Sequence, residues 1–428
     1  MMSVEGPYLA AIIARLDAPA VNLAAFGVAF AFAIIIESPV IMLMGASTAL
    51  VEDRESYIAL RRFAYGLSIL LVLIQLVILA PPVFSWVAEL LSLPGDVSRL
   101  ARGGLTIMLP WPLAIGYRRF QQGLLIRAGL TRRVAYGTVV RVVTMSVTAY
   151  AAYELSSLPG TYIGTLALSV GVVFEAIVSR AMTASVLPEV IQRRRRADRL
   201  ESLRLDALVA FYTPLALTSL LALASQPTVT FFMGQSRSAL ESLATLPVIF
   251  GLTFIFRSMG LSYLEVVIAL AGRNREHVVM LRNFAVGLGL CAAGGLCVIA
   301  FTPLAVTWYR DISGLTEELT SFAIAPTRIL AILPAFSVLL AFQRGLLVQA
   351  RRNTPITWAT LLELAGIASM LAVAIHLLDL VGAVAAAVAI VSARVASTAS
   401  LLPTCLAVMR EESVVPVAVV PPSAPEVT

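Results

Sequence analysis

RESYIALRRFAYG (54–66) returns 221 residues later as REHVVMLRNFAVG (275–287), with Arg, Glu, Leu, Arg, Phe, Ala and Gly in register. The pairing continues outward. FQQGLLIR (120–127) returns as FQRGLLVQ (342–349) at an offset of 222, and Pro112 falls on Pro334 at that offset. TASVLP (183–188) returns as TASLLP (398–403). Matches that recur in order at nearly constant spacing mark an internal duplication, the pattern found in many transporter folds.

The residues between the matches set the class. The 428-residue chain is 59% hydrophobic and 13% charged, against roughly 45–50% and about 25% in soluble domains. That balance excludes a soluble enzyme, a disordered chain and a disulfide scaffold. Apolar runs fall at 6–20, 22–50, 60–88, 104–126, 135–155, 163–190, 206–233, 243–271, 281–308, 320–349, 356–378 and 381–409. A bilayer span needs about 20 apolar residues. The expected fold is an all-α polytopic membrane protein of about twelve helices. Six spans separate the matched motifs, and an even number brings the second copy in with the orientation of the first. Two parallel six-helix lobes follow: an N-terminal lobe over 1–191 and a C-terminal lobe over 206–410, joined by a basic linker (192–205). The Pro- and Val-rich tail 411–428 reads as disordered.

All basic residues are Arg, and the formal net charge is +6. The connections after even-numbered spans, together with the stretch after span twelve, hold 21 of the 31 Arg; the opposite connections hold Arg15, Arg99, Arg102, Arg237 and Arg310, and five lie within spans. The positive-inside rule puts both termini and the Arg193–Arg196 run in the cytoplasm. That run is a topology anchor of the inner membrane face, so no nucleic-acid partner is expected. Cys291, Cys297 and Cys405 lie in apolar runs as small hydrophobes. Without Cys/His ligand spacing or a Gly-rich phosphate loop, neither a metal nor another cofactor is expected, nor ATP-driven transport. Residues 6 to 16 supply only about eleven apolar-leaning positions before Asp17, about 16 Å of helix. The first helix is expected to be cut short: either the chain starts about 15 to 20 residues upstream of Met1, as the complete helix of the second repeat favours, or the helix is truly half length and its neighbours cover the gap.

The loop Val51-Glu52-Asp53-Arg54-Glu55-Ser56 lacks the glycines of the major facilitator loop motif. The chain is more similar, over essentially its whole length, to the MOP flippase superfamily of MATE drug exporters, polysaccharide and lipid II flippases and the progressive ankylosis protein. The likeness rests on the Arg-Glu…Leu-Arg-x-Phe loops, on Tyr212-x-Pro214-Leu215-Ala216-Leu217 and on Pro326-Thr327-Arg328-Ile329 with Pro334. The last two stretches most resemble the progressive ankylosis branch. The resemblance implies a secondary exporter, antiporter or flippase for an amphipathic or anionic solute. A monomer in the bilayer is expected, with a proton or sodium as coupling ion. MATE-type antiporters often place an acid in the first span, where the run 6–20 holds Asp17 at its outer end. A lipid-linked saccharide flippase is an alternative. Alternatives of another class are a membrane scaffold and an intramembrane lipid-modifying enzyme, though the short loops lack a catalytic constellation.

Charges inside spans are costly, roughly 2.5–3.5 kcal/mol each near a helix centre on insertion scales, and mark candidate sites. Glu37, followed by Pro39, reads either as an ion site at a broken helix or as a carboxylate paired with a neighbouring Arg. Arg257 and Glu265 stand two turns apart on one face of span eight, so both can line a cleft; Glu265 can instead snorkel. Arg328 either binds an anion or anchors span ten among carbonyls. Arg141 and Glu363 fall on each other at offset 222, so they are expected to face inward at equivalent places and to pair across the two-fold axis as a gate, or each to be satisfied in its own lobe. Glu175, Arg180 and Arg394 are secondary candidates, with Arg180 and Arg394 also suited to fixing topology.

Overall fold

The computed structural model describes residues 2–188, 205–271, 275–350, 352 and 354–411, and within them it is helical apart from turns and one isolated bridge between Arg237 and Val381. In the N-terminal half, α1 (Met2–Ile13), α2 (Pro19–Ile41), α3 (Leu43–Leu50), α4 (Arg54–Leu79), α5 (Pro81–Leu90), α6 (Gly95–Ile107), α7 (Trp111–Arg127), α8 (Thr131–Leu155) and α9 (Gly160–Thr183) follow one another. The second half holds α10 (Leu205–Leu223), α11 (Ser225–Gly234), α12 (Ala239–Leu270), α13 (Arg275–Phe301), α14 (Glu317–Leu330), α15 (Leu333–Gln349), α16 (Thr354–His376) and α17 (Gly382–Glu411). A single π-helical turn, Thr307–Ile312, lies between α13 and α14. The basic linker beyond residue 188, as far as Leu205, and the tail beyond Glu411 lie outside the described residues.

Among the described residues nine helical stretches are long and apolar enough to cross a bilayer, ten if the bent pair α10–α11 is one span. Twelve were expected. The shortfall is at α1, which has 12 residues, and at α6 and α7, two separate helices of 13 and 17 residues.

The repeated motifs have structural causes. Arg54 and Arg275 each open a long helix, α4 and α13. Asp53 caps α4, accepting from the Ser56 amide at 2.8 Å while the Ser56 hydroxyl takes the Asp53 amide at 2.9 Å. Pro112 and Pro334 sit in the first turns of α7 and α15, where a missing N–H costs nothing, so each marks the same break in its half. The Gly of each FQxGLL motif is a packing device. A Cβ on Gly123 would clash with the Ser47 hydroxyl and the Met44 carbonyl of α3, and one on Gly345 would lie 2.7 Å from Val267 of α12.

Burial divides the long helices into two kinds. α9, α12 and the α14–α15 run are more than half buried, whereas α4, α8 and α13 are 22–28% buried and present apolar side chains such as Ile69, Val147 and Leu290 outward. Such outward apolar faces suit lipid. Each half packs mainly on itself: α8 on α9 and α7 on α9 in the first, α12 on α15 and α16 on α17 in the second. The halves meet where α1 and α2 lie along α12, and where α10 crosses α2.

Candidate functional site

α8 is an outer helix with one inward stripe. Its buried residues, Gly137, Arg141, Met145 and Ala149, are four apart. In α16 the stripe recurs as Ala359, Glu363, Ile367 and Leu371, each 222 residues on. A four-residue step keeps side chains nearly in line along a helix. Arg141 and Glu363 therefore project from equivalent places into their own halves.

Arg141 forms an ion pair with Glu5 of α1, and its other terminal nitrogen stands 3.9 Å from Glu175 of α9. Glu175 is fully buried; it pairs with Arg118 of α7 and accepts a hydrogen bond from Gln122 Nε2 at 3.1 Å. Arg118 is itself 2% exposed. Two guanidinium groups thus meet two carboxylates, and formal charge cancels. One Glu5 oxygen, Oε1, has no hydrogen-bond partner among the described residues.

In the second half Glu363 is held by Arg394 of α17 at 2.7 Å and by Arg344 of α15 at 3.9 Å. Arg344 also donates to Thr360 at 3.1 Å. Arg257 of α12 faces the same space, donating to Ser337 at 3.4 Å. These three Arg share a cavity of about 70 Å³ between α12, α15 and α17.

The gate across the axis is not made here, because Arg141 and Glu363 are each satisfied within their own half. At Pro39 side chains take up the helix carbonyls. The carbonyl it frees, that of Ile35, takes the Ser38 hydroxyl at 2.8 Å, and the Ser38 and Pro39 carbonyls accept from Ser219 and Tyr212 of α10. Among the described residues Glu37 has no ion pair with an Arg; it accepts the Trp111 indole N–H. Arg328 anchors α14, donating to the Ala300 carbonyl at 3.2 Å beside the Phe301 ring. Arg180 is half-buried near the end of α9. The Glu265 side chain lies outside the described residues.

Three residues of these networks escaped the sequence reading. Glu5 lay one position before the first assigned run. Arg118 and Arg344 were counted with the basic loops, although both fall inside assigned spans, 104–126 and 320–349. A stricter rule, that an Arg deep inside an assigned span needs a partner acid, would have exposed them.

No family model and no curated protein matches the chain by sequence. By structure it superimposes on a multidrug resistance MATE family transporter of the MOP superfamily in an inward-facing conformation, with TM-score 0.75, 15% identity and 96% of each chain covered. It superimposes on the lipid II flippase MurJ in an inward closed conformation at 0.74, with 12% identity, covering 96% of this chain and 88% of that one. Against an outward-facing MATE structure the score is 0.56, with 13% identity over 96% of this chain and 95% of that one. The chain is a multi-pass membrane protein with the fold shared by MATE transporters and MurJ.

Proposed function

We propose that this chain is a monomeric transporter or flippase that moves an amphipathic or anionic solute by alternating access of its two halves. The driving force is a proton or sodium gradient. The observation that carries the reading is the buried network of Glu5, Arg118, Arg141 and Glu175, set inside a fold whose solved examples are transporters and a flippase. Four ionised side chains within apolar helices are expensive to keep, and such groups mark ion and substrate paths.

Glu5 supplies the acidic residue of the first helix that MATE-type antiporters use. Arg141 has two carboxylates in reach, Glu5 as its partner and Glu175 at 3.9 Å. When a proton or cation neutralises Glu5, Glu175 is left as the better partner, and α1 is released from α8. Two residues along α1, Pro7 packs against Gly251 of α12; a Cβ on that Gly would lie 2.9 Å from the Pro7 ring. The charge state of Glu5 is thereby tied to the contact between halves. On this reading the Arg-rich connections and both termini face the cytoplasm, and the described state is closed at the Arg-poor end.

The test is flux in sealed proteoliposomes, screened with labelled organic cations, organic anions and lipid-linked sugars under an imposed pH or sodium gradient. Gradient-dependent flux in the wild type and its loss of gradient dependence in Glu5→Gln are expected. Flux of none of these solutes above protein-free vesicles overturns the proposal.

A further inference from the structure

The duplication allows one half to serve as a reference for the other. At the repeat offset of 221, Glu5 falls on Gln226 and Glu37 on Ser258, next to Arg257; at 222, Gln122 falls on Arg344. The carboxylates of the first two helices therefore have no counterpart in the second half, and an uncharged amide is replaced by a guanidinium. The result is three Arg around one cavity with Glu363 as the one carboxylate bonded to them among the described residues. Among the described residues the formal excess is two positive charges in an environment of low dielectric, where an uncompensated charge is costly.

The guanidinium groups also have unused capacity. Nε of both Arg344 and Arg394 is buried without a hydrogen-bond partner among the described residues. Arg257 has one long contact, to Ser337. Several of the five donors of an Arg fork suit the oxygens of a planar or tetrahedral oxyanion. A water needs about 10–15 Å³ of such space. A cavity of about 70 Å³ therefore admits a group of about five heavy atoms, the size of a phosphate. A phosphate group carries about −1.5 to −2 charges near neutral pH, which matches the excess.

We infer that the second half holds a binding site for a phosphate-type oxyanion among Arg257, Arg344 and Arg394. The anion is either a free phosphate or the phosphate of a lipid headgroup, since both present the same oxygens. That it belongs to the carried solute rests on the transport reading above; the binding itself does not.

The experiment is calorimetric titration and thermal shift of the full-length protein. One arm uses inorganic phosphate in lipid-free detergent, against chloride at equal ionic strength. The other uses nanodiscs of phosphatidylcholine with and without phosphatidic acid. Saturable binding in the first arm identifies a free anion, and stabilisation confined to phosphatidic acid identifies a headgroup. Arg257→Gln should weaken binding about 10- to 100-fold, the value of a charge-assisted hydrogen bond. Glu363→Gln should tighten it, which a merely structural carboxylate would not do. Arg257→Lys, which keeps the charge without the fork, should fall between. Absence of saturable binding in both arms, or equal binding by wild type and Arg257→Gln, overturns the inference. Gradient-driven flux that survives such a result leaves the transport reading standing, so the two fail separately.

Discussion

The two halves carry matching motifs at nearly constant spacing and manage charge in opposite ways. In the first, Glu5, Arg118, Arg141 and Glu175 form a closed set, with the Arg118–Glu175 side chains 2% and 1% exposed. In the second, Arg344, Glu363 and Arg394 are 27%, 11% and 14% exposed at the side chain and open onto a cavity that Arg257 also lines. The backbone frame is common to both, down to the stripes on α8 and α16. A conserved frame with inverted charge indicates that the frame serves the folding of each half, while the charges were free to specialise.

The sharpest way to test that contrast is to remove the central acid of each network. Glu175→Gln leaves Arg118 buried without its partner, and breaking such a pair typically costs about 3–5 kcal/mol. Glu363→Gln should cost less, about 1–3 kcal/mol, because water or an anion in the cavity can compensate the partly buried Arg394. Thermal melts of the detergent-purified variants should rank Glu175→Gln well below Glu363→Gln. The double change Arg118→Leu/Glu175→Leu should recover much of the loss, since it removes both charges. Equal melting of the two single variants would erase the distinction between the halves.

Much of this architecture was legible in the sequence because hydropathy and repetition are local signals. The duplicated FQxGLL motif and the inward stripe through Arg141 and Glu363 could be read from spacing alone. The pairings could not. Glu5 and Arg141 lie 136 residues apart, and Arg118 and Glu175 lie 57 apart. Nothing in the local pattern says that α1 reaches α8, or which of two Arg takes Glu175. Pro39 shows the same limit: its freed carbonyl was predictable, but its satisfaction by the adjacent Ser38 and the docking of Tyr212 and Ser219 depend on where α10 crosses. The expected twelve spans met a related difficulty, since the run 104–126 is divided between two helices of 13 and 17 residues.

A second pair of variants probes the frame rather than the charges. Gly123→Ala drives a methyl group onto the Met44 carbonyl oxygen, which is part of the α3 backbone and cannot swing aside. Gly345→Ala meets the Val267 side chain at 2.7 Å, and its nearest backbone atom, the Leu264 carbonyl oxygen, stands at 3.3 Å. Overpacking of this kind costs about 1–3 kcal/mol, with Gly123→Ala at the upper end and Gly345→Ala at the lower. Melting temperatures and the yield of monodisperse protein measure the difference, and a reversed order would show that the second half is the less adaptable.

The smallest effect belongs to a pair of contacts that join the halves at the Arg-poor end. Arg15, just after α1, donates to the Asp311 and Ile312 carbonyls at 3.1 and 2.7 Å, where the π-helical turn ends. Gln235, just after α11, donates to the Leu90 carbonyl at 3.1 Å, where α5 ends. Leu90 stands 221 residues before Asp311, so the two contacts are near copies, each satisfying a terminal helix carbonyl of the opposite half. Both are solvent-exposed, so each is worth about 1 kcal/mol, or about fivefold in the balance between closed and open forms. Arg15→Ala and Gln235→Ala should each shift that balance by about fivefold, and together by about 25-fold, because separated sites add. Spin labels at Ser92→Cys and Arg237→Cys, with Cys291, Cys297 and Cys405 replaced, read the separation by pulsed electron resonance. The wild type should give one short distance, and the double variant a second, longer population. The guanidinium binds two carbonyls where the amide binds one, so Arg15→Ala should open the end at least as far as Gln235→Ala. An unchanged distance distribution in the double variant would show that the closed end is held by the packing of α1 and α2 on α12 alone.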